Sequence, residues 1–324
     1  MSDTRICVLD GHTLNPGDLS WAPLEALGQV SLYARTPPAL MLERARGAQL
    51  LITNKAVVDA ATIAAAPELR YIGVTATGTN IVDKGAAKEH GIIVSNVPSY
   101  GADSVAEHTL GLMLEASKHL GQHTALVRAG GWSQQPDFSV SVGEIRLLSQ
   151  RTLGIIGLGA IGRRVAELAG AFKMTVLAAR RSTRGSACPP PVPGVRWCDL
   201  DEVVERADFL SLHCPLTEET KELVNAALLA RMQPKAVLLN TSRGGLIDEA
   251  ALAQALRSGQ IAAAYLDVLS VEPPPERHPL IALPNCWITP HVAWASLEAR
   301  SRLMQVAVDN VRAFLAGSPT NVVT

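Results

Sequence analysis

Thr152-Leu-Gly-Ile-Ile-Gly157-Leu-Gly159-Ala160-Ile161-Gly162 is the stretch that decides the fold. An apolar run, Leu153–Ile156, leads into it, and a helical pattern over Arg163–Phe172 leads out. The spacing G-x-G-x-x-G is weak alone; between a strand and a helix it is a turn that cradles a pyrophosphate. Gly157 permits the tight turn, Gly159 has no side chain to block a phosphate, and Gly162 lets helix and strand pack closely. The helix N-terminus adds free N–H groups and a partial positive charge. The pattern therefore predicts a dinucleotide site over Gly157, Gly159, Ala160, Ile161 and Gly162.

Working outward, short apolar runs alternate with helical segments on both sides. After the turn come Thr175–Ala178, Phe209–His213, Val237–Asn240, Ala262–Leu266 and Trp287–Thr289; before it come Ile6–Leu9, Val30–Tyr33, Leu50–Thr53, Tyr71–Val74 and Ile92–Val94. Near-continuous apolar strands separated by helices predict parallel sheets covered on both faces. A helix is expected over about 104–128, another over Leu297–Leu315, and a loop over Cys188–Gly194, where prolines cluster. The expected fold class is α/β, with two doubly wound, Rossmann-like parallel-sheet domains separated by a cleft. The expected division is 1–101 plus 291–324 for substrate and 102–290 for the dinucleotide.

Composition narrows the classes. The 324 residues are 48% hydrophobic and 18% charged, which is globular composition. A net charge of −1 gives no field favouring nucleic acid or an anionic membrane. The five cysteines form no C-x-x-C pair and no zinc spacing, so no metal site is expected. No apolar stretch reaches the roughly 18 residues of a membrane span, and Met1–Asp10 lacks the apolar core of a signal peptide. The cytoplasm is the expected compartment.

The strand after the glycine turn ends in Ala179-Arg180-Arg181-Ser182, where an NAD site ordinarily carries an acid for the ribose 2′-hydroxyl. Forked guanidinium donors suit a 2′-phosphate instead. Arg180, Arg181 and Ser182 thus favour NADP over NAD.

Three later strands each end in a polar residue: Leu239-Asn-Thr-Ser-Arg243, Leu266-Asp267-Val-Leu-Ser-Val-Glu272, and Ile288-Thr-Pro-His291. Ligands of an open α/β sheet collect at such carboxyl ends. An arginine binds a carboxylate through paired charged hydrogen bonds and polarises the neighbouring carbonyl. A histidine delivers a proton near neutral pH, and a glutamate on its other nitrogen fixes the tautomer. Arg243, Glu272 and His291 are therefore the expected catalytic set for a small 2-keto or 2-hydroxy acid, with a nicotinamide supplying the hydride.

The segments GLGAIG, NTSRGGLID, LDVLSVEPP and TPHVAWAS, with VTATGTNIVD at 74–83 and SVAEHTLGLML at 104–114, resemble the D-isomer-specific 2-hydroxyacid dehydrogenase family, nearest its glycerate dehydrogenase/hydroxypyruvate reductase branch. The resemblance implies catalytic roles for Arg243, Glu272 and His291, and a substrate-carboxylate loop at Thr77 and Gly78. It implies that Ser104, His213, Thr241 and Ser242 lie beside the cofactor, with Asp267 at the nicotinamide carboxamide. Asn54 and Trp294 are implied to line the substrate pocket. It further implies a homodimer, with contacts sought in 104–150, and a C-terminal helix returning to the first domain. The alternative is a dinucleotide-sensing binding protein of the same fold. The other histidines, His108 included, show no evident partner and are expected to be structural.

Overall fold

The computed structural model describes residues 3–180 and 192–324. It divides into two compact units: Met1–Gly101 with Ala295–Thr324, and Ala102–Trp294.

The first unit holds β1 (Arg5–Val8), β2 (Gln29–Leu32), β3 (Leu50–Thr53), β4 (Tyr71–Val74) and β5 (Ile93–Ser95). They form one parallel sheet in the order β2-β1-β3-β4-β5. Every residue of β3 and β4 is buried, because helices cover both faces. Those helices are short: α1 (Ala22–Glu25), α2 (Met41–Ala45), α3 (Ala60–Ala64) and α4 (Lys84–Glu89). Asp59 and Asp83 cap α3 and α4 by accepting from the amides of Thr62 and Ala86.

The second unit holds β6 (Thr152–Ile156), β7 (Thr175–Ala179), β8 (Val195–Cys198), β9 (Phe209–Leu212), β10 (Val237–Asn240), β11 (Ala263–Leu266) and β12 (Cys286–Ile288). Its helices are α5 (Ala102–Lys118), α6 (Leu120–Arg128), α7 (Ala160–Ala171), α8 (Leu200–Arg206), α9 (Ala226–Leu229) and α10 (Glu249–Arg257). The strand order is β12-β11-β10-β9-β6-β7-β8, all parallel. The chain runs one way from β6 and the other from β9, so these neighbours form the switch point where ligands collect. Successive side chains face opposite layers: Leu238 shares one core layer with Leu210 and Leu177, while Leu239 shares the other with Ile155 and Val176. Each fully buried aliphatic side chain contributes about 1.5–3 kcal/mol.

The last helix, α11 (Leu297–Leu315), belongs to the first unit, where Phe314 lies 4.8 Å from the Tyr71 ring. Arg300 forks onto Asp18 at 2.7 and 2.6 Å, and that bonded guanidinium holds the Asp18 carboxyl below the usual carboxylate range.

Three expectations need correction. The helix expected over 104–128 is two helices, because His119 takes φ +52 and the Glu115 carboxylate accepts from the Gly121 amide beyond the break. Strand β8 was not anticipated; most of the proline-rich run before it lies outside the described residues. The unit boundary falls at 295, not 291: the amides of Val292 and Ala293 donate to the Asp267 carboxylate, so His291 and Trp294 go with the second unit. Among the described residues no helix is long and apolar enough to cross a membrane, and no group of three or more ligands is placed to hold a metal.

Candidate active site

The glycine turn follows β6. Gly157 has φ +100, a conformation L side chains rarely adopt, and a Cβ there would lie 2.4 Å from the Cys214 amide nitrogen. A Cβ on Gly162 would lie 2.2 Å from the Gly157 carbonyl oxygen. Around Gly159 a Cβ would meet nothing within 4 Å. Two glycines therefore seal the turn onto β9 and α7, while the third leaves open space where a phosphate belongs. Gly159 is the N-cap of α7 and supplies no capping side chain, so the first-turn amides near Ala160 and Ile161 remain available to an anion. These features fit a dinucleotide pyrophosphate.

His213 follows β9 opposite the turn, its amide donating to the Ile156 carbonyl and its Nε2 2.8 Å from Ser211 Oγ. Burial pushes its imidazole down to about 4, so it stays neutral through the physiological range. The unfolded chain binds this proton near pH 6.5 and the folded chain only near 4, so stability present above pH 6.5 is lost as pH falls toward 4. His213→Gln is expected to reduce the stability lost between pH 7 and 5 by about 1–2 kcal/mol in urea denaturation. An unchanged loss would show that the imidazole is not held neutral by burial. Cys214 follows; burial pushes its thiol up, which suits wall material rather than a nucleophile.

The turn after β10 carries Thr241, Ser242 and Arg243. The Asn240 side chain braces it, accepting from the Ser242 amide at 3.0 Å and donating to the Arg243 carbonyl at 2.8 Å. Ser242 Oγ donates to the Cys214 carbonyl at 3.0 Å, and Thr241 Oγ1 lies 3.1 Å from Thr109 Oγ1. Arg243 is exposed, with Nη1 on the Ser242 carbonyl at 2.7 Å. A Cβ on Gly244 would lie 1.9 Å from the Leu269 carbonyl carbon, so the two loops touch backbone to backbone. That contact sets Arg243 beside the loop carrying Glu272.

Glu272 Oε1 accepts from the Leu269 amide at 3.0 Å, and Oε2 lies 2.5 Å from His291 Nδ1. The pair is partly exposed, at 33% and 27%. His291 takes φ +54, and its amide donates to the Asp267 carbonyl at 2.8 Å. With Nδ1 bonded to Glu272, Nε2 is left to face a ligand. Asp267 is buried; Oδ1 accepts from Thr289 Oγ1 at 2.5 Å and Val292 N at 3.0 Å, and Oδ2 from Ala293 N at 2.9 Å. Ser104 Oγ donates to the Ala293 carbonyl at 2.6 Å. Trp294 closes this unit.

Arg180 ends β7. Its amide donates to the Cys198 carbonyl, and its Nε lies 3.8 Å from Asp199 Oδ1, both side chains well exposed. Sequence proximity had offered no acid here; β8 brings one. Arg181 and Ser182 lie outside the described residues.

In the first unit Asn54 is buried, its amide donating to Asp10 Oδ1 and its Nδ2 to the Thr75 carbonyl, while its Oδ1 has no partner among the described residues. Thr77 is exposed; the amides of Thr77 and Gly78 meet no acceptor among the described residues.

Sequence reading missed several residues around the second unit's site. His108 Nε2 lies 3.0 Å from Thr289 Oγ1. Glu249 accepts from the amide and hydroxyl of Ser270 and lies 3.2 Å from buried His278 Nε2, bracing the loop before Glu272. Away from that site, His90 of the first unit and His123 on α6 bond the carbonyls one turn back. The one available signal was that Ser104 and His108 stand four apart on one helix face.

The match to known proteins is extensive. The family described as "D-isomer specific 2-hydroxyacid dehydrogenase, NAD binding domain" matches residues 110–293. A hydroxypyruvate reductase of Blautia hydrogenotrophica is 43% identical over 98% of this chain and 99% of its own. A glycerate dehydrogenase of Methylorubrum extorquens is 42% identical over 88% of each. A solved NADPH-dependent glyoxylate/hydroxypyruvate reductase of Sinorhizobium meliloti, in complex with NADP and malonate, superposes with a TM-score of 0.81 at 30% identity, covering 100% of this chain and 97% of that one. With its glycine turn at the switch point and these likenesses over nearly its full length, the chain belongs to the D-isomer specific 2-hydroxyacid dehydrogenase family and is an NAD(P)-dependent oxidoreductase.

Proposed function

We propose that the protein reduces hydroxypyruvate or glyoxylate, giving D-glycerate or glycolate. The observation that carries this reading is the His291 Nδ1–Glu272 Oε2 contact at 2.5 Å, on a loop touching the Arg243 turn and in the same row of strand ends as the glycine turn. The relatives named hydroxypyruvate reductase and glycerate dehydrogenase support the substrate class.

Each side chain has a task. Arg243 binds the substrate carboxylate through two charged hydrogen bonds and polarises the adjacent carbonyl. The free amides of Thr77 and Gly78 suit a carboxylate oxygen. His291 gives its Nε2 proton to the carbonyl oxygen as the hydroxyl forms. Glu272 keeps the ring oriented and offsets its charge. Gly157, Gly159, Ala160, Ile161 and Gly162 hold the pyrophosphate, with Ser104, His213, Thr241, Ser242 and Asp267 lining or supporting the cofactor's place. Asn54 and Trp294 are each assigned to substrate contact, on the likeness of their segments to the family. The nicotinamide, when bound, supplies the hydride.

NADP is the assigned cofactor. Arg180 is 46% exposed and its 3.8 Å approach to Asp199 is a solvent-screened pair, worth about 0–1 kcal/mol. A 2′-phosphate displaces such a partner at little cost. Arg181 and Ser182 are assigned to the same phosphate. The kcat/KM with hydroxypyruvate is expected to be at least about tenfold higher with NADPH than with NADH; a marked NADH preference rejects the assignment. Cofactor binding without turnover of any 2-keto acid would instead identify a sensing protein.

The assembly is assigned as a homodimer through 120–147. Helix α6 has no buried residue, and Leu120, Val127, Trp132, Phe138, Ile145 and Leu147 are all exposed, Phe138 at 91%. Exposed apolar side chains gathered along one segment suit a surface covered by a second copy. Sedimentation is expected to give twice the 34.3 kDa of one chain; a monomer at micromolar concentration rejects the dimer.

A further inference from the structure

We propose that His108 is a positioning residue for the catalytic histidine, acting through Thr289 and Asp267. The proposal rests on His291 being the proton donor. Helix α5 grips the segment 289–293 at both ends from one face. Ser104 Oγ donates to the Ala293 carbonyl at 2.6 Å, and one turn later His108 Nε2 meets Thr289 Oγ1 at 3.0 Å.

The proton inventory fixes the direction of the chain. Asp267 accepts from Thr289 Oγ1 at 2.5 Å, so the single hydroxyl proton of Thr289 lies on that bond. The hydroxyl oxygen can then only accept from His108, and Nε2 of His108 must carry a proton. The same nitrogen lies 3.6 Å from Asp267 Oδ1, whose side chain is 1% exposed. Among the described residues no Lys or Arg pairs with that carboxylate; His108 is the one basic side chain within 4 Å.

The consequence reaches His291. Residue 267 receives four hydrogen bonds from 289–293: the Thr289 hydroxyl and the amides of His291, Val292 and Ala293. They hold His291 at φ +54, a backbone an L residue leaves readily when unsupported. Without the His108 donor, the Thr289 hydroxyl is free to turn from Asp267. Oδ1 then loses its shortest bond, and the His291 ring loses its registration against Glu272.

The test compares His108→Gln, which keeps an N–H donor, with His108→Leu, which does not, alongside Thr289→Val and the Leu/Val double variant. His108→Leu is expected to lower kcat about 10–100-fold with KM changed less than roughly threefold, while His108→Gln keeps roughly a third or more of kcat. The isotope effect on kcat with 4-deuterated NADPH is expected to rise in the Leu variant, because a displaced proton donor slows the chemical step and not binding. The double variant is expected to be no worse than Thr289→Val alone, since both changes break one chain. A Gln variant as impaired as Leu, additive losses, or a loss seen only in melting temperature overturns the proposal. A second readout needs no turnover: long-range 15N–1H spectra of the histidine-labelled protein are expected to show His108 as the Nε2–H tautomer, and an Nδ1–H tautomer overturns the proposal. A wild-type protein that reduces no 2-keto acid sinks the reaction assigned above, whereas the spectrum still decides the His108 bond.

Discussion

Replacing His291 by Ala is expected to lower kcat/KM for hydroxypyruvate by about 10²–10⁴-fold, the usual cost of losing a positioned proton donor, the role proposed for this residue. The geometry makes the effect specific. Nδ1 is committed to Glu272 at 2.5 Å, so the proton at issue is the one on Nε2. The backbone at 291 is held by its own amide on Asp267 and by the neighbouring amides, not by the ring, so truncation leaves the loop in place. Cofactor affinity and melting temperature are therefore expected to change little while the rate collapses. Stopped-flow reduction alongside NADPH titration separates these effects. Near-normal turnover in the Ala variant removes His291 from the mechanism.

Arg243→Ala is expected to cost about 10²–10⁴-fold in kcat/KM, because in the proposed reaction it removes both the carboxylate clamp and the polarising charge. The side chain is exposed and supports little structure: the turn is braced by Asn240 and by Gly244 packed against Leu269 and Ser270. The loss is expected in both KM and kcat, since carboxylate binding and carbonyl polarisation come from one group. Arg243→Lys is expected to recover only a small part, as an ammonium is a point charge without the guanidinium fork. A Lys variant with wild-type kinetics would show that charge alone suffices and would reject the paired hydrogen bonds.

Much of this was legible in the chain. LGII followed by Gly157, Gly159 and Gly162 is a local signal: strand, turn and helix are adjacent in sequence, and the demand for missing side chains is written in the glycines. The strands at 50–53, 71–74 and 237–240 carry continuous apolar runs, and the structure places strands over those same residues. Strand β8 was not legible, because Val195-Arg-Trp-Cys198 follows a proline-rich run and its alternation is too short to stand out. The break at His119 was hidden as well, since the residue that breaks the helix is neither glycine nor proline and the nearby Gly121 lies inside the next helix.

Residue types and their place at strand ends pointed to Arg243, Glu272 and His291, and the chemistry paired the glutamate with the histidine; the bond of His108 to Thr289 was beyond reach. The Glu272–His291 bond spans 19 positions and His108–Thr289 spans 181, and neither leaves a periodic trace. Asp199 reaches Arg180 only because β8 pairs with β7. What the sequence determined by itself is what depends on neighbours a few residues apart: the apolar runs and the glycine turn. The tertiary structure decided which side chains share a hydrogen bond, because strand order and sheet twist, not chain distance, set which strand ends lie side by side.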